Sequence, residues 1–240
     1  MPLASPETPM SRRLVLASNN PKKLKELQAL IAPLGVDLVT QGSLGVPEAD
    51  EPHITFVENA LAKARHAAAL TGGPALADDS GLCVDALGGA PGVRSARHAV
   101  DAGRIAEGLP REQIDAANNE WLLTQMNGQG LRSAHFTCVL VAVRHADDPE
   151  PLVAEGRWCG ELLPSAQGDH GFGYDPLLWI PTHEQSAAEL APEVKNAISH
   201  RALACRQLLV LMRERWGLGA PAAAPGGEAP ASARWSWQHP

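Results

Sequence analysis

The run Ser133-Ala134-His135-Phe136-Thr137-Cys138-Val139-Leu140-Val141-Ala142-Val143 constrains this chain more than any other stretch. It is largely apolar, rich in β-branched residues and free of glycine and proline. A strand covered on one face alternates apolar and polar side chains, whereas one covered on both reads as a continuous apolar run. The run therefore predicts a buried strand. The loop Arg144 to Pro151 is acidic and turn-like, and Leu152 to Leu162 returns as the partner strand of a hairpin.

Strands and helices alternate ahead of that hairpin. Leu14-Val15-Leu16-Ala17 reads as a short buried strand running into Ser18-Asn19-Asn20-Pro21-Lys22-Lys23. Asn20 is a good N-cap and Pro21 suits the first helical position, with Leu24, Leu27, Leu30 and Ile31 keeping helical spacing up to Pro33. Val36 to Val39 gives a second strand, and a loop with Glu48, Asp50 and Glu51 follows. Thr55 and Glu58 have the spacing of a capping box at the head of a long Ala-rich helix, ended by Thr71-Gly72-Gly73-Pro74. A further helix is expected over Arg111 to Met126, and a last one through Leu203 to about Trp216.

The 240 residues allow one large domain or two small lobes. We expect a flexible leader over 1–12, a folded unit over 13–216, and a disordered Ala/Pro/Gly-rich tail over 217–240, in which Trp235 and Trp237 stand out. A net charge of −7 argues against non-specific binding of nucleic acid, which depends on neutralising phosphates. A locally basic cleft for a small phosphorylated ligand remains compatible with it. No apolar run is long enough to cross a bilayer, and the first residues lack the apolar core of a signal peptide. Cys83, Cys138, Cys159 and Cys205 are widely spaced in apolar settings, which suits buried thiols in a reducing, cytoplasmic protein.

Three stretches carry candidate chemistry. In Ala75-Leu76-Ala77-Asp78-Asp79-Ser80-Gly81-Leu82, a short apolar run delivers two adjacent carboxylates and a hydroxyl to a glycine suited to a sharp turn. Such a pair suits a divalent cation, and the same residue types suit an ordinary turn. Ser18 to Lys23, at a strand-to-helix junction, suits either a phosphate or a capped surface helix with solvated lysines. The glycines of Gly171-Phe172-Gly173-Tyr174-Asp175-Pro176 free an aromatic ring to face a pocket, or simply make a tight turn. On the Ala-rich helix, the blandest account of Glu58, Asn59 and Lys63 is a solvated face, with Glu58 as the cap partner.

Five motifs stand in order: Ser18-Asn19-Asn20-x-x-Lys23, Thr55-Phe56-x-Glu58-Asn59-Ala60-x-x-Lys63-Ala64, Ala77-Asp78-Asp79-Ser80-Gly81-Leu82, Gly171-Phe172-Gly173-Tyr174-Asp175-Pro176 and Ile198-Ser199-His200-Arg201. Together, over about Leu14 to Trp216, they resemble the inosine/xanthosine triphosphate pyrophosphatase family, the Ham1/RdgB-like non-canonical purine pyrophosphatases. The resemblance implies an elongated α/β fold: a mixed β-sheet with helices on two lobes and the active site in the cleft between them. It implies a homodimer that uses Mg²⁺ to hydrolyse ITP, dITP and XTP to the monophosphate and pyrophosphate.

Residue by residue, the resemblance places Ser18, Asn19, Asn20, Lys22 and Lys23 at the triphosphate, with Ser80 also on the substrate. Asp79 falls at the metal and as base for the attacking water, with Glu51 or Asp50 as a second metal ligand. Phe172 falls where a ring stacks on the base, walled by Gly173, Tyr174 and Asp175, with Lys195, His200 and Arg201 meeting the base and nearby phosphate oxygens. Arg201 only donates hydrogen bonds, so it is expected to select a 6-oxo acceptor over the amino group of adenine. Two other readings compete at this level: a pyrophosphatase of the Maf type acting on pyrimidine nucleotides, and a nucleotide-binding module without turnover.

Overall fold

The computed structural model describes residues 13–219. Its strands are β1 (Arg13–Leu16), β2 (Asp37–Thr40), β3 (Ala75–Val84), β4 (Ser133–Val143), β5 (Leu152–Leu162), β6 (Leu178–Ile180) and β7 (Gln185–Ser186). Its helices are α1 (Pro21–Ile31), α2 (Phe56–Thr71), α3 (His98–Asp101), α4 (Arg111–Gln125), α5 (Pro192–Ile198) and α6 (His200–Trp216). The strands form one mixed sheet in the order β2-β1-β3-β4-β5-β6-β7. β1 lies parallel to β2 and β3, while the pairs from β3 onward are antiparallel. Parallel neighbours need a crossover, and α1 and α2 supply the two.

Local chemistry fixes the helix starts. Asn20 accepts from the Lys22 and Lys23 amides, and Thr55 and Glu58 pair as a capping box. Ser199 caps α6. The hairpin of β4 and β5 is in place, its turn closed by Asp148, which accepts from Arg144 and from the Glu150 amide.

β4 explains its own composition. Cys138, Leu140 and Ala142 pack with α1 and α6 on one face, while Val139, Val141 and Val143 pack against the alanines of α2 on the other. The opposite end of the sheet has its own core, in which Leu82, Val84, Phe136 and Trp158 meet Leu122 of α4 and Leu177 and Leu178. β3 runs through all of this, with Leu76 in the first cluster, Ala75 and Ala77 in the second, and Leu82 and Val84 in the third. β4 does the same, so the two lobes share both strands, and the acidic motif lies between the two apolar ends of β3.

Two expectations change. The glycine of the acidic motif makes no turn: Asp78 to Gly81 sit inside an unbroken ladder from Ala75↔Val143 to Val84↔Ala134. Gly81 is required for close approach, since a Cβ there would fall on the Gly92 carbonyl and the Ser95 side chain. The folded chain also runs past 216. Gly217 closes α6 in the left-handed region, and Leu218 is buried in the first cluster. Residues 1–12 and 220–240, including Trp235 and Trp237, lie outside the described residues. Among the described residues no helix is long and apolar enough to cross a membrane, and all four cysteines are free.

Candidate active site

The cleft between the lobes, about 440 Å³, has the middle of β3 as its floor. Successive side chains on a strand point to opposite faces. Asp78 therefore turns toward α1 and α6, and Asp79 toward α2. Asp78 is fully enclosed by donors: Lys23 Nζ at 2.6 Å on Oδ1, Arg201 Nε at 2.6 Å on Oδ2, and the Ser80 hydroxyl at 2.5 Å. Burial works against its charge, but Arg201 and Lys23 outweigh it and hold the carboxyl well below the usual carboxylate range.

Asp79 is provided for differently. Its Oδ1 meets Lys63 Nζ at 2.8 Å, and its Oδ2 is buried with no hydrogen-bond partner among the described residues. Burial raises its pKa, and Lys63 only partly offsets that. Lys63 also donates to Glu51 at 2.7 Å and to the Asp78 carbonyl at 3.0 Å, so one ammonium lies between two carboxylates. Burial lowers the Lys63 pKa, but Asp79 and Glu51 outweigh burial and the net shift is upward. The reading of Lys63 as solvated is thereby corrected. It occupies the i+3 position of the stripe Ala60, Ala64, Ala67 that α2 buries, and that register was the available signal.

The chemistry of this pair fits a hard cation. Among the described residues no group of three or more His, Cys, Asp or Glu side chains stands close enough to cage a metal. Mg²⁺ does not ask for such a cage, because it is commonly held by one or two carboxylates together with substrate phosphates. The unpartnered Asp79 oxygen and Glu51 offer that donor set. Asp50 lines the cleft but is exposed and outside the Lys63 bridge.

Of the residues after β1, Ser18, Asn20 and Lys23 line the cleft. Ser18 accepts from the Asn20 amide, which shapes the turn. Asn19 is directed elsewhere, its Oδ1 accepting from Gly42 at 2.9 Å. Lys22 reaches across the cleft to donate to the Gly171 carbonyl at 3.2 Å.

The opposite wall carries the aromatic motif. Asp175 Oδ2 accepts from the Phe172 amide at 2.8 Å and from Lys195 at 2.6 Å, which orders the turn. Tyr174 is buried and donates to the Ser95 carbonyl, so it braces the wall. Cations surround the Phe172 ring, with Lys195 at 5.4 Å, Arg201 at 5.7 Å and Lys22 at 5.8 Å from its centroid. His200 stacks on Phe136 at 4.8 Å, and burial, followed by the Arg201 charge, drives its pKa well below the ordinary imidazole value. Arg201 lines the cleft, yet its nitrogens are engaged by Asp78, Glu26 and Ser80. The sequence offered no sign of Glu26 or Ser95, which are brought in by the fold alone.

A sequence profile of the Ham1 family matches residues 14–211. The chain belongs to the Ham1 family. Its relatives include a protein of Leptothrix cholodnii named dITP/XTP pyrophosphatase, 63% identical over 210 residues, covering 86% of this chain and 99% of the relative. A protein of the same name from Burkholderia pseudomallei is 59% identical, covering 88% of this chain and 98% of its own. Among solved structures, a Ham1 protein from Coxiella burnetii superposes with a TM-score of 0.76 at 44% identity, covering 84% of this chain and 98% of that one. The Staphylococcus aureus Ham1 protein gives 0.71 at 33% identity, with coverage of 84% and 98%. The mixed sheet and two lobes described above are thus the Ham1 fold.

Proposed function

We infer that this chain hydrolyses the non-canonical purine triphosphates dITP, ITP and XTP to the monophosphate and pyrophosphate, and so cleanses the nucleotide pool. The single observation that carries the reading is Asp79. It is a buried carboxylate with one oxygen unpartnered, beside a carboxylate whose charge is wholly balanced, and Lys63 joins it to Glu51 on a cleft with lysines at one end and an aromatic wall at the other. High identity to relatives named dITP/XTP pyrophosphatase supports the substrate class.

Attack at the α-phosphorus makes pyrophosphate the leaving group. Asp79 orients the water and takes its proton. Asp79 and Glu51 would hold Mg²⁺, which balances phosphate charge and acidifies water when bound. Lys23 stands at the phosphate end, where leaving-group charge grows. Phe172 stacks on the base. Arg201 holds Asp78, Glu26 and Ser80, and Lys195 holds Asp175, yet each keeps further N–H donors at the cleft, so we assign recognition of the 6-oxo group to these two and to backbone groups around Phe172 and Asp175. A donor at that position meets the amino group of adenine with no acceptor to bond. Cytoplasmic location and assembly as a homodimer belong to this reading; the first is supported by the four free cysteines and the second by the family resemblance.

The test is pyrophosphate release from ITP, XTP, GTP and ATP side by side, with and without Mg²⁺. We expect Mg²⁺-dependent turnover of ITP and XTP well ahead of GTP and ATP. Equal rates on all four, or a preference for pyrimidine triphosphates, overturns it.

A further inference from the structure

Helix α4 contributes little to the apolar core, and Leu122 is its buried aliphatic side chain. Its polar face grips backbone instead. Asp115 Oδ2 accepts from the Gly173 amide at 3.0 Å, and one turn later Asn119 Nδ2 donates to the Gly173 carbonyl at 3.0 Å. The two residues are i,i+4 neighbours and so share one face of the helix. Both polar groups of one glycine are therefore held by one helix, at a glycine whose φ of 63° leaves its peptide orientation poorly fixed by the chain itself.

Between them, Asn118 holds the facing segment. Its Oδ1 accepts from the Ala99 amide at 2.8 Å, and its Nδ2 donates to the carbonyls of Ser95 at 3.2 Å and Ala96 at 3.4 Å. Ser95, Ala96, Phe172 and Gly173 all line the cleft. One helix thus sets two segments of the cleft wall, and Tyr174 links them again through Ser95.

We propose that Asp115 and Asn119 are positioning residues, which fix the Gly173 backbone and thereby hold the Phe172 ring in the orientation that stacks on the substrate base. This rests on the reading of Phe172 as the base-stacking residue. Neither residue touches the reacting phosphate end. Their loss should therefore weaken binding of the nucleotide and leave the chemical step nearly intact.

The experiment is a double-mutant cycle between Asp115 and Phe172, read in the Kd for ITP and in kcat and KM. Asp115→Ala should raise Kd and KM by about tenfold, the size expected for losing a hydrogen bond to a charged acceptor, with kcat within about threefold. Asp115→Asn keeps an acceptor for the Gly173 amide and should recover most of that loss. In a Phe172→Ala background, Asp115→Ala should add almost nothing, because it acts through the ring. Asn119→Ala, at a half-buried position, repeats the cycle should Asp115→Ala fail to fold. Equal losses in both backgrounds, or a loss confined to kcat, overturn the proposal. Wild-type protein that binds ITP without hydrolysing it refutes the enzymatic reading alone, and the cycle in Kd still decides the role of α4. Wild-type protein that does not bind ITP refutes both.

Discussion

Asp78 and Asp79 are neighbours in sequence and opposites in environment. The first has every oxygen engaged, and the second keeps one oxygen free in a buried place. Asp79→Asn should therefore keep the fold, since Lys63 retains Glu51, and lower kcat for ITP by about 10²–10⁴-fold. Turnover near the wild-type rate would place the base elsewhere. Arg201→Ala should do more than weaken binding. It strips a buried carboxylate of its guanidinium partner, a change that costs about 3–5 kcal/mol. In a chain of this size that is a fall in Tm on the order of 10 °C, read by calorimetry. His200 gives a pH signature. Desolvation holds it neutral, with Arg201, Lys195 and Lys23 pushing the same way and Asp78 opposing. Its folded pKa is depressed, so on acidification the unfolded chain gains the proton first. Stability is therefore full above about pH 6.5 and falls below it, by at most about 1.4 kcal/mol per pH unit. His200→Phe, kept in the stack with Phe136, should flatten the fall in Tm between pH 6.5 and 5.

At the scale of elements, local signals in the sequence carried far. The caps at Asn20 and Thr55, the hairpin of β4 and β5, and α4 follow from residues close together in the chain, where capping and periodicity act. What the sequence hid were distant pairings. Asp-Asp-Ser-Gly suits a turn by composition, yet β4 supplies ten paired positions and the motif stays extended. Lys63 looked solvated because its partners, Glu51 and Asp79, lie on a loop and a strand. Arg201 looked free for the same reason, since Glu26 comes from α1. Many of the residues that line the cleft, Ser18, Lys23, Ser80, Phe172 and Arg201 among them, lie in the five motifs, and which of them pair with one another was not legible. Gly81→Ala tests the corrected account of β3. The added methyl meets backbone at Gly92 and the buried Ser95 side chain, so it should cost about 1–3 kcal/mol in urea unfolding. An unchanged midpoint would show that the strand tolerates a side chain there and that close approach is not what the glycine serves.

Across the whole molecule, three apolar clusters stabilise two lobes while leaving a polar band between them. Charge is concentrated in that band, and it coincides with the middle of β3, which with β4 enters every cluster. The sheet thus acts as a beam crossing both halves. A rotation of one half against the other would displace atoms in proportion to their distance from these shared strands. Asp78 to Gly81 sit at that fulcrum, while Phe172 and its turn sit out on the arm. The floor on which a triphosphate would react is therefore the part that such a rotation would displace least, so the geometry at the scissile bond would tolerate adjustment at the far wall.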